Sequence, residues 1–415
     1  MIIFCGKICK RLRKQVVFIT LFVPILLTMN SITVNETVYA KDFDEESLYA
    51  LAAAVTDGYN GRVLVSKKAN VPLANASTTK ILTCILALEK CDLKDKIKIS
   101  ENAACQPEVK MGLTEGEEYI LEDLLYGLML ESYNDCAVAI AEHVAGDTET
   151  FSELMNKKAK EIGCSDTYFI TPNGLDEDKD GMYHHTTAED LCKIMNYCVW
   201  ESEKKEDFLK ITQTKEYGQF VNHNQLLGYN GVIAGKTGFT TQAGYCYVCA
   251  VEIDGKRFSI ALLGSGWPNN KDYKWKDCKK LIEYTDNTYE VGKITEEFPE
   301  QSVTVKNAMI EEGDLKCWKQ QQKFDVDLNL DKGEADKEMR FLKAENERLE
   351  LVTNLSEKKA VDAEEIGEDL IVGTYKASIN GYVLDENNLY IQSDIIPWNY
   401  KAFFKAIFIR YISKI

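Results

Sequence analysis

The sequence predicts an α/β fold of the α+β kind: an antiparallel sheet flanked by helices, followed by a smaller, mainly β domain. Three observations carry this reading. The chain has 415 residues, 45% of them apolar, enough to build two domains. Strand-like and helix-like stretches mix up to about residue 290, and an Asp-Gly turn among them closes a hairpin. Beyond residue 290 apolar residues recur at every second position, as in half-buried strands.

The elements follow in chain order. Lys7, Lys10, Arg11, Arg13 and Lys14 precede an apolar run from Val16 to Leu27, and Val38-Tyr39-Ala40 fits a cleavage site. The run is short for a membrane span and carries Pro24, so residues 1–40 read as a cleaved signal peptide, with an uncleaved anchor as the alternative. Residues 50–66 read as two strands around the turn GYNG. Asn75 and Ser77 suit the start of a helix that continues through the apolar run Ile81–Leu88. Residues 119–145 read as two helices broken near Ser132-Tyr133-Asn134, and 151–162 as a further helix. Residues 171–187 are loop-rich, and 188–199 are helical. Residues 245–264 form the hairpin, turning at Asp254-Gly255-Lys256. In the tail, Phe324, Val326, Leu328 and Leu330 alternate with polar residues, as do Leu349 and Leu351, then Tyr375, Ala377 and Ile379. A helix over 335–347 competes with that pattern.

The last residues differ again. In 395–415 aromatic and aliphatic side chains interleave with Lys401, Lys405, Arg410 and Lys414. At about 100° per residue, Phe404, Ile407, Phe408, Tyr411 and Ile415 share one side. A basic, aromatic-rich amphipathic helix suits a membrane surface rather than a span. Packing on the chain's own β domain is the competing reading.

Three short motifs carry the chemistry: Ser77-Thr78-Thr79-Lys80, Ser132-Tyr133-Asn134 and Lys236-Thr237-Gly238. The first two also match elsewhere, at Ser202…Lys205 and Ser356…Lys359, and at Ser100…Asn102 and Ser378…Asn380; only the third is unique. Ser202 and Ser356 lie in charged stretches that read as solvated surface. Ser77 and Lys80, three apart on a helix, share a face, which brings the amine to the hydroxyl. The apolar flank desolvates that amine and lowers its pKa, as a general base requires.

With these contexts the chain resembles the serine-type D-alanyl-D-alanine carboxypeptidases, the low-molecular-mass penicillin-binding proteins of the β-lactamase-like superfamily. The resemblance rests on TDGYNGRVLVSKKANVPLANASTTKILTCILALE, on SYNDCAVAIAEHVAG, on the segment from Thr167 to Asp190, and on VIAGKTGFTTQAGYCYVCAVEIDGKRFSIALLGS. It covers roughly residues 45–290 closely, and the tail domain only in position and character. It implies a catalytic domain over 41–290, a mainly β domain over 291–394 and an amphipathic anchoring helix over 395–415. By position Ser77 would be the nucleophile, Lys80 the general base and Ser132 a proton relay to the leaving amine. Asn134 would hold Lys80 or the substrate amide. Lys236 and Thr237 would bind the substrate's terminal carboxylate, and Gly238 would let backbones approach. The backbone N–H groups of Ser77 and Phe239 would form the oxyanion hole. His184 and Asp190 match family positions and read as residues ordering the connecting segment; His143 and His223 read as structural or surface residues. Asn75, Tyr133, Thr171 and Gly235 depart from the family's usual residues, and none of these changes removes a reacting group.

The implied activity is removal of the terminal D-alanine from peptidoglycan stem peptides ending in D-Ala-D-Ala, with β-lactams as covalent inhibitors. Transpeptidase or endopeptidase action on cell-wall peptides is the nearest alternative. A β-lactamase would need a deacylating Glu within E-x-x-L-N, which TPNGLDEDKDGMYHHTT lacks. An inactive cell-wall-binding protein would not need every polar site residue. A net charge of −17 argues against nucleic acid as a partner. With four histidines and no H-E-x-x-H, no metal or other cofactor is expected. Localisation would be outside the cell, on the outer face of the cytoplasmic membrane or in the wall. Of 13 cysteines, two precede the expected cut. Most of the others sit in apolar runs and read as buried free thiols, which implies a reducing habitat for an exported chain. Cys246 and Cys249 look like a redox or zinc pair but lie in a strand, where side chains three apart face opposite ways.

Overall fold

The structure, a computed structural model, describes residues 43–294 and, beyond them, 301–306, 308–309, 322–326, 339–355, 361–362, 371–390, 396–397 and 408. The expected signal peptide lies outside these residues. Residues 39–415 cluster as one compact unit.

Five strands build the central sheet: β1 (Ala52–Asp57), β2 (Val63–Lys67), β3 (Val232–Thr240), β4 (Gly244–Ile253) and β5 (Lys256–Leu263). Their order is β2-β1-β5-β4-β3, and every pairing is antiparallel. The expected strands around GYNG are β1 and β2, and the expected hairpin is β4–β5. Asp254 and Gly255 both take positive φ, 48° and 79°, as a tight turn between twisted strands requires. The K-T-G motif lies within β3, an edge strand.

Period-two alternation gives the sheet two apolar faces. Ala52, Ala54, Cys246, Val248 and Ala250 face one core; Ala53, Val55, Tyr247, Cys249 and Val251 face the other. The first core is closed by α1 (Lys80–Lys90), α2 (Leu121–Tyr126), α3 (Asn134–Ala145), α4 (Thr148–Glu161), α5 (Ala188–Asn196) and α6 (Lys205–Gln213). The second is closed by α7 (Tyr273–Thr288), through Trp275, Cys278, Leu281 and Ile282. Cys246 and Cys249 thus fall in different cores, as their strand spacing requires. All ten cysteines among the described residues are free thiols, and eight of them are buried.

Two expectations are corrected. Ser202 is not on a solvated surface: it is buried, and its hydroxyl donates to Glu89 Oε1 at 2.8 Å. The helix α6 that follows carries the charges of that stretch outward while burying Phe208 and Ile211. Asn75 precedes a 3-10 turn, Ala76–Thr79, rather than capping an α-helix, and its amide donates to the hydroxyls of Thr78 and Thr79.

Beyond β6 (Tyr289–Ile294) the regular structure among the described residues is almost wholly β. β7 (Met339–Ala344) pairs with β6, which removes the competing helix across 339–344. β8 (Leu349–Leu355), β9 (Ile371–Ile379) and β10 (Tyr382–Tyr390) form an antiparallel sheet that buries Tyr375, Ala377 and Ile379, as their alternation foretells. Gln322–Val326 pairs with Gln301–Lys306. Leu328, Leu330 and Ser356 lie outside the described residues. Within 395–415, Ile396–Pro397 is a strand paired with Ala308–Met309 and not helix. Proline has no N–H to donate and disfavours helical geometry at the residue before it. Phe408 is helical, and the rest of the expected C-terminal helix lies outside the described residues.

Candidate active site

The nucleophile candidate sits where two backbones are forced together. Ala76 takes φ 50°, unusual for a residue with a Cβ, and opens the 3-10 turn that carries Ser77 into α1. Gly174 makes room for this: a Cβ there would lie 2.0 Å from the Ala76 carbonyl oxygen. Gly238 does the same from the sheet side, where an added Cβ would lie 2.9 Å from the Ser77 nitrogen. The glycine of K-T-G thus lets β3 lie against the nucleophile's backbone.

Lys80 is completely buried at the start of α1. Its Nζ lies 2.6 Å from Ser77 Oγ, 2.9 Å from Asn134 Oδ1 and 2.8 Å from the Asn173 carbonyl oxygen. Burial, reinforced by the charge of Lys236, pushes this amine well below the usual lysine range. A neutral amine has two N–H bonds and one lone pair. Two carbonyl acceptors can take the two N–H bonds, which leaves the lone pair for the Ser77 hydroxyl. The arrangement can deprotonate a serine without histidine.

The second motif lies where a helix breaks. After α2 the chain widens into a π-turn, Gly127–Glu131, and Ser132 takes left-handed geometry, φ 67°, before α3 begins at Asn134. Ser132 Oγ accepts from Lys236 Nζ at 2.9 Å. The hydroxyl expected to relay protons for Lys80 is therefore tied to the other lysine. Lys236 is buried on the helix-facing side of β3, and burial lowers its pKa to about 7. Thr237, Gly238 and Phe239 line a cleft of about 460 Å³ together with Ser77, Ser132 and Asn134. The Phe239 ring stands 40% exposed beside Tyr245, with centroids 4.6 Å apart. All eight residues singled out from the sequence converge on this cleft or directly beneath it.

Sequence reasoning missed three supports. The Asn173 carbonyl holds Lys80, and the Asn173 amide donates to Gln106 Oε1 at 3.1 Å; backbone acceptors leave no residue-type signal. Lys274, on α7, lines the cleft above the Tyr245 ring, its Nζ 4.3 Å from the centroid; burial lowers its pKa to about 8. Glu131 and His223 pair at 2.8 Å on the cleft wall. His184 does order the connecting segment. Its Nδ1 accepts from the N–H of Ile170 at 3.0 Å, so the neutral ring carries its proton on Nε2 and donates to Thr79 Oγ1 at 2.9 Å. Burial holds its pKa down at about 3. Asp190 Oδ2 accepts from the Asp166 N–H and the Thr167 hydroxyl, both at 2.9 Å.

A model of the D-alanyl-D-alanine carboxypeptidase family matches residues 39–266, more than half of the chain. The chain belongs to this family. D-alanyl-D-alanine carboxypeptidase DacF of Bacillus subtilis is 29% identical over 368 residues, covering 86% of this chain and 88% of that protein. D-alanyl-D-alanine carboxypeptidase DacB2 of Mycobacterium tuberculosis is 34% identical over 215 residues, 50% of this chain and 72% of its own. Penicillin-binding protein 5 of Haemophilus influenzae shares the fold over 84% of this chain and 98% of its own, with a TM-score of 0.66 at 23% identity. Penicillin-binding protein D2 of Listeria monocytogenes, solved in an ampicillin-bound form, covers 57% of this chain and 97% of its own, with a TM-score of 0.51 at 28% identity. The carboxypeptidase fold expected from the sequence, with its smaller β domain, is thus the observed one.

Proposed function

We propose that this chain removes the terminal D-alanine from peptidoglycan stem peptides through an acyl-enzyme on Ser77, and that β-lactams acylate the same residue. The observation that carries the reading is the buried Lys80 amine, 2.6 Å from Ser77 Oγ and held by two carbonyl oxygens. Lys80 takes the hydroxyl proton as Ser77 Oγ attacks the carbonyl carbon of the penultimate D-alanine. The developing oxyanion lies at the backbone N–H groups of Ser77 and Phe239, where β3 meets the nucleophile. Ser132 passes its hydroxyl proton to the departing amine of D-alanine and takes up the one Lys80 gained, which restores Lys80 as a base, and Lys236 and Thr237 hold the D-alanine carboxylate. Water then attacks the ester, with Lys80 again as base, and frees Ser77. No metal enters any step.

The test is to incubate the purified protein with a diacyl-D-Ala-D-Ala peptide and measure free D-alanine. Release by wild type and none by Ser77→Ala is expected. Wild type that releases no D-alanine overturns the reading. Added amine acceptors decide between hydrolysis and transpeptidation: a dominant amide product assigns transpeptidase action.

Export through residues 1–40 and anchoring on the outer face of the membrane through 395–415 belong to the same proposal. They rest on the basic-then-apolar order of the N-terminus and on the basic, aromatic-rich C-terminus. Among the described residues no helix is long and apolar enough to cross a membrane. A chain stopped after Asp394 is expected to leave the membrane fraction once its signal is cleaved; retention would show that the tail is not the anchor.

A further inference from the structure

The two helices that carry Lys80 and Asn134 meet again at their far ends. α1 starts at Lys80, ends at Lys90 and is followed by Cys91; α3 starts at Asn134 and bears His143 in its last turn. At 1.5 Å per residue those far ends lie about 14–16 Å along the helix axes from the catalytic residues. There the Cys91 sulfur, an Asp95 carboxylate oxygen and a His143 ring nitrogen all lie within 4.8 Å of one another. His143 Nε2 and Asp95 Oδ2 are 3.3 Å apart.

We propose that Cys91, Asp95 and His143 form a structural binding site for a borderline divalent transition metal, zinc by its chemistry, that staples α1 to α3 behind the active site. The donor set argues for this class of ion. A thiolate, an imidazole and a carboxylate together suit zinc, whereas calcium and magnesium take oxygen donors. Ligand atoms around a tetrahedral zinc are spaced by roughly 3.3–3.6 Å, given bonds of about 2.0–2.3 Å. The His143–Asp95 spacing already matches, and the third donor needs a side-chain shift of about an ångström.

The scaffold is ordered. The Asp95 N–H donates to the Asp92 carbonyl at 2.9 Å, the Lys94 N–H to Asp92 Oδ1 at 2.8 Å, and the Leu121 N–H to the Asp95 carbonyl at 2.9 Å. The turn therefore presents Cys91 and Asp95 from a fixed frame. Cys91 and Asp95 are half-buried and His143 is reachable from solvent, so an ion has an entry path and a fourth position for water. On binding, the Cys91 S–H bond breaks, its proton goes to water and an S–Zn bond forms. Thiolate and carboxylate then neutralise the ion's two charges. Asp95 and His143 stand 48 positions apart in no recognised spacing, so no motif marks the site.

The test uses the full protein, kept reduced with a phosphine, stripped of metal and titrated with Zn²⁺ alone and Co²⁺ alone. We expect one-to-one binding and a thiolate-to-cobalt charge-transfer band in the near ultraviolet. Saturating zinc should raise Tm by on the order of 5 °C. Cys91→Ser should lose the band, and Cys91→Ser and His143→Gln should each lose most of the zinc-dependent shift in Tm. Circular dichroism of the metal-free variants checks that they fold. The exposed Cys105→Ser is the control and should behave as wild type. A band that survives Cys91→Ser, an equal zinc effect in variants and wild type, or no zinc effect at all would overturn the site.

Discussion

Two buried lysines set the behaviour of the proposed centre, and they are expected to fail differently. Lys80→Ala removes the base 2.6 Å from Ser77 and should slow acylation by penicillin roughly 100- to 10,000-fold with the fold intact. Mass spectrometry of labelled wild type should find the adduct on Ser77; near-normal acylation of Lys80→Ala at neutral pH would remove the base from the mechanism. Lys236 is a matter of stability as well as binding. Its folded pKa is about 7, against about 10.4 for an unfolded chain. Between those values the unfolded state binds more protons, so this group's cost is full below pH 7 and fades as pH rises through the window. Lys236→Met should therefore lose turnover yet melt higher than wild type, by most near pH 6 and by less toward pH 10. A difference in Tm that does not change with pH would contradict this origin. The departures from the family also resolve at this scale. A Cβ at Gly235 would lie 2.9 Å from the Tyr247 hydroxyl, and one at Gly127 would lie 3.1 Å from the Tyr133 ring. Bulk at Tyr133 and Tyr247 is thus matched by glycine opposite.

At the scale of elements, the close approach of β3 to the 3-10 turn governs the rate. Gly238→Ala should slow acylation roughly 100-fold while Tm stays near wild type, because the strand must retreat from the Ser77 nitrogen and the reacting geometry opens. An acylation rate within a few-fold of wild type would show that the contact yields easily. The sequence reveals this much of the site because its residues come in words: hydroxyl and amine three apart on a helix, glycine after a lysine in a strand. It hides what the backbone does. The Asn173 carbonyl, the left-handed turn at Ser132 and the switch of Ser132 from Lys80 to Lys236 depend on how distant segments meet. α7 is a different kind of miss. Its buried Trp275, Cys278, Leu281, Ile282 and Thr285 do recur at helical spacing, but lysines and acids between them mask the pattern. Ser202 misleads for the same reason: a charged stretch need not be exposed along its whole length.

Across the whole molecule, the β domain is tied to the catalytic part at the β1–β2 turn. Both terminal nitrogens of the Arg62 guanidinium donate to the Glu347 carboxylate, at 2.6 and 2.9 Å, in a buried pair. The Leu342 N–H donates to Asp57 Oδ2 at 2.7 Å, and the Tyr382 hydroxyl to the Asn60 carbonyl at 3.1 Å. Glu347→Ala strands a buried cation and should cost about 3–5 kcal/mol of stability, read as a fall in Tm, with the acylation rate per folded molecule unchanged. A slower acylation in that variant would show that this junction also shapes the cleft. Alternating residues made the β character of this domain readable from sequence, whereas Arg62 and Glu347, 285 positions apart, gave no hint of their pairing.

The eight buried thiols give the folded chain a kind of oxidative shelter that exists only while the packing holds. Cys249 and Cys278 share a thiol–thiol hydrogen bond at 3.6 Å between sheet and helix, with no disulfide joining them. Once heat opens the cores, thiols meant to be core methyl-sized fillers become free to crosslink at random. Melting in air should then be a one-way event whose midpoint moves with heating rate, while under a phosphine reductant the same protein should refold on cooling.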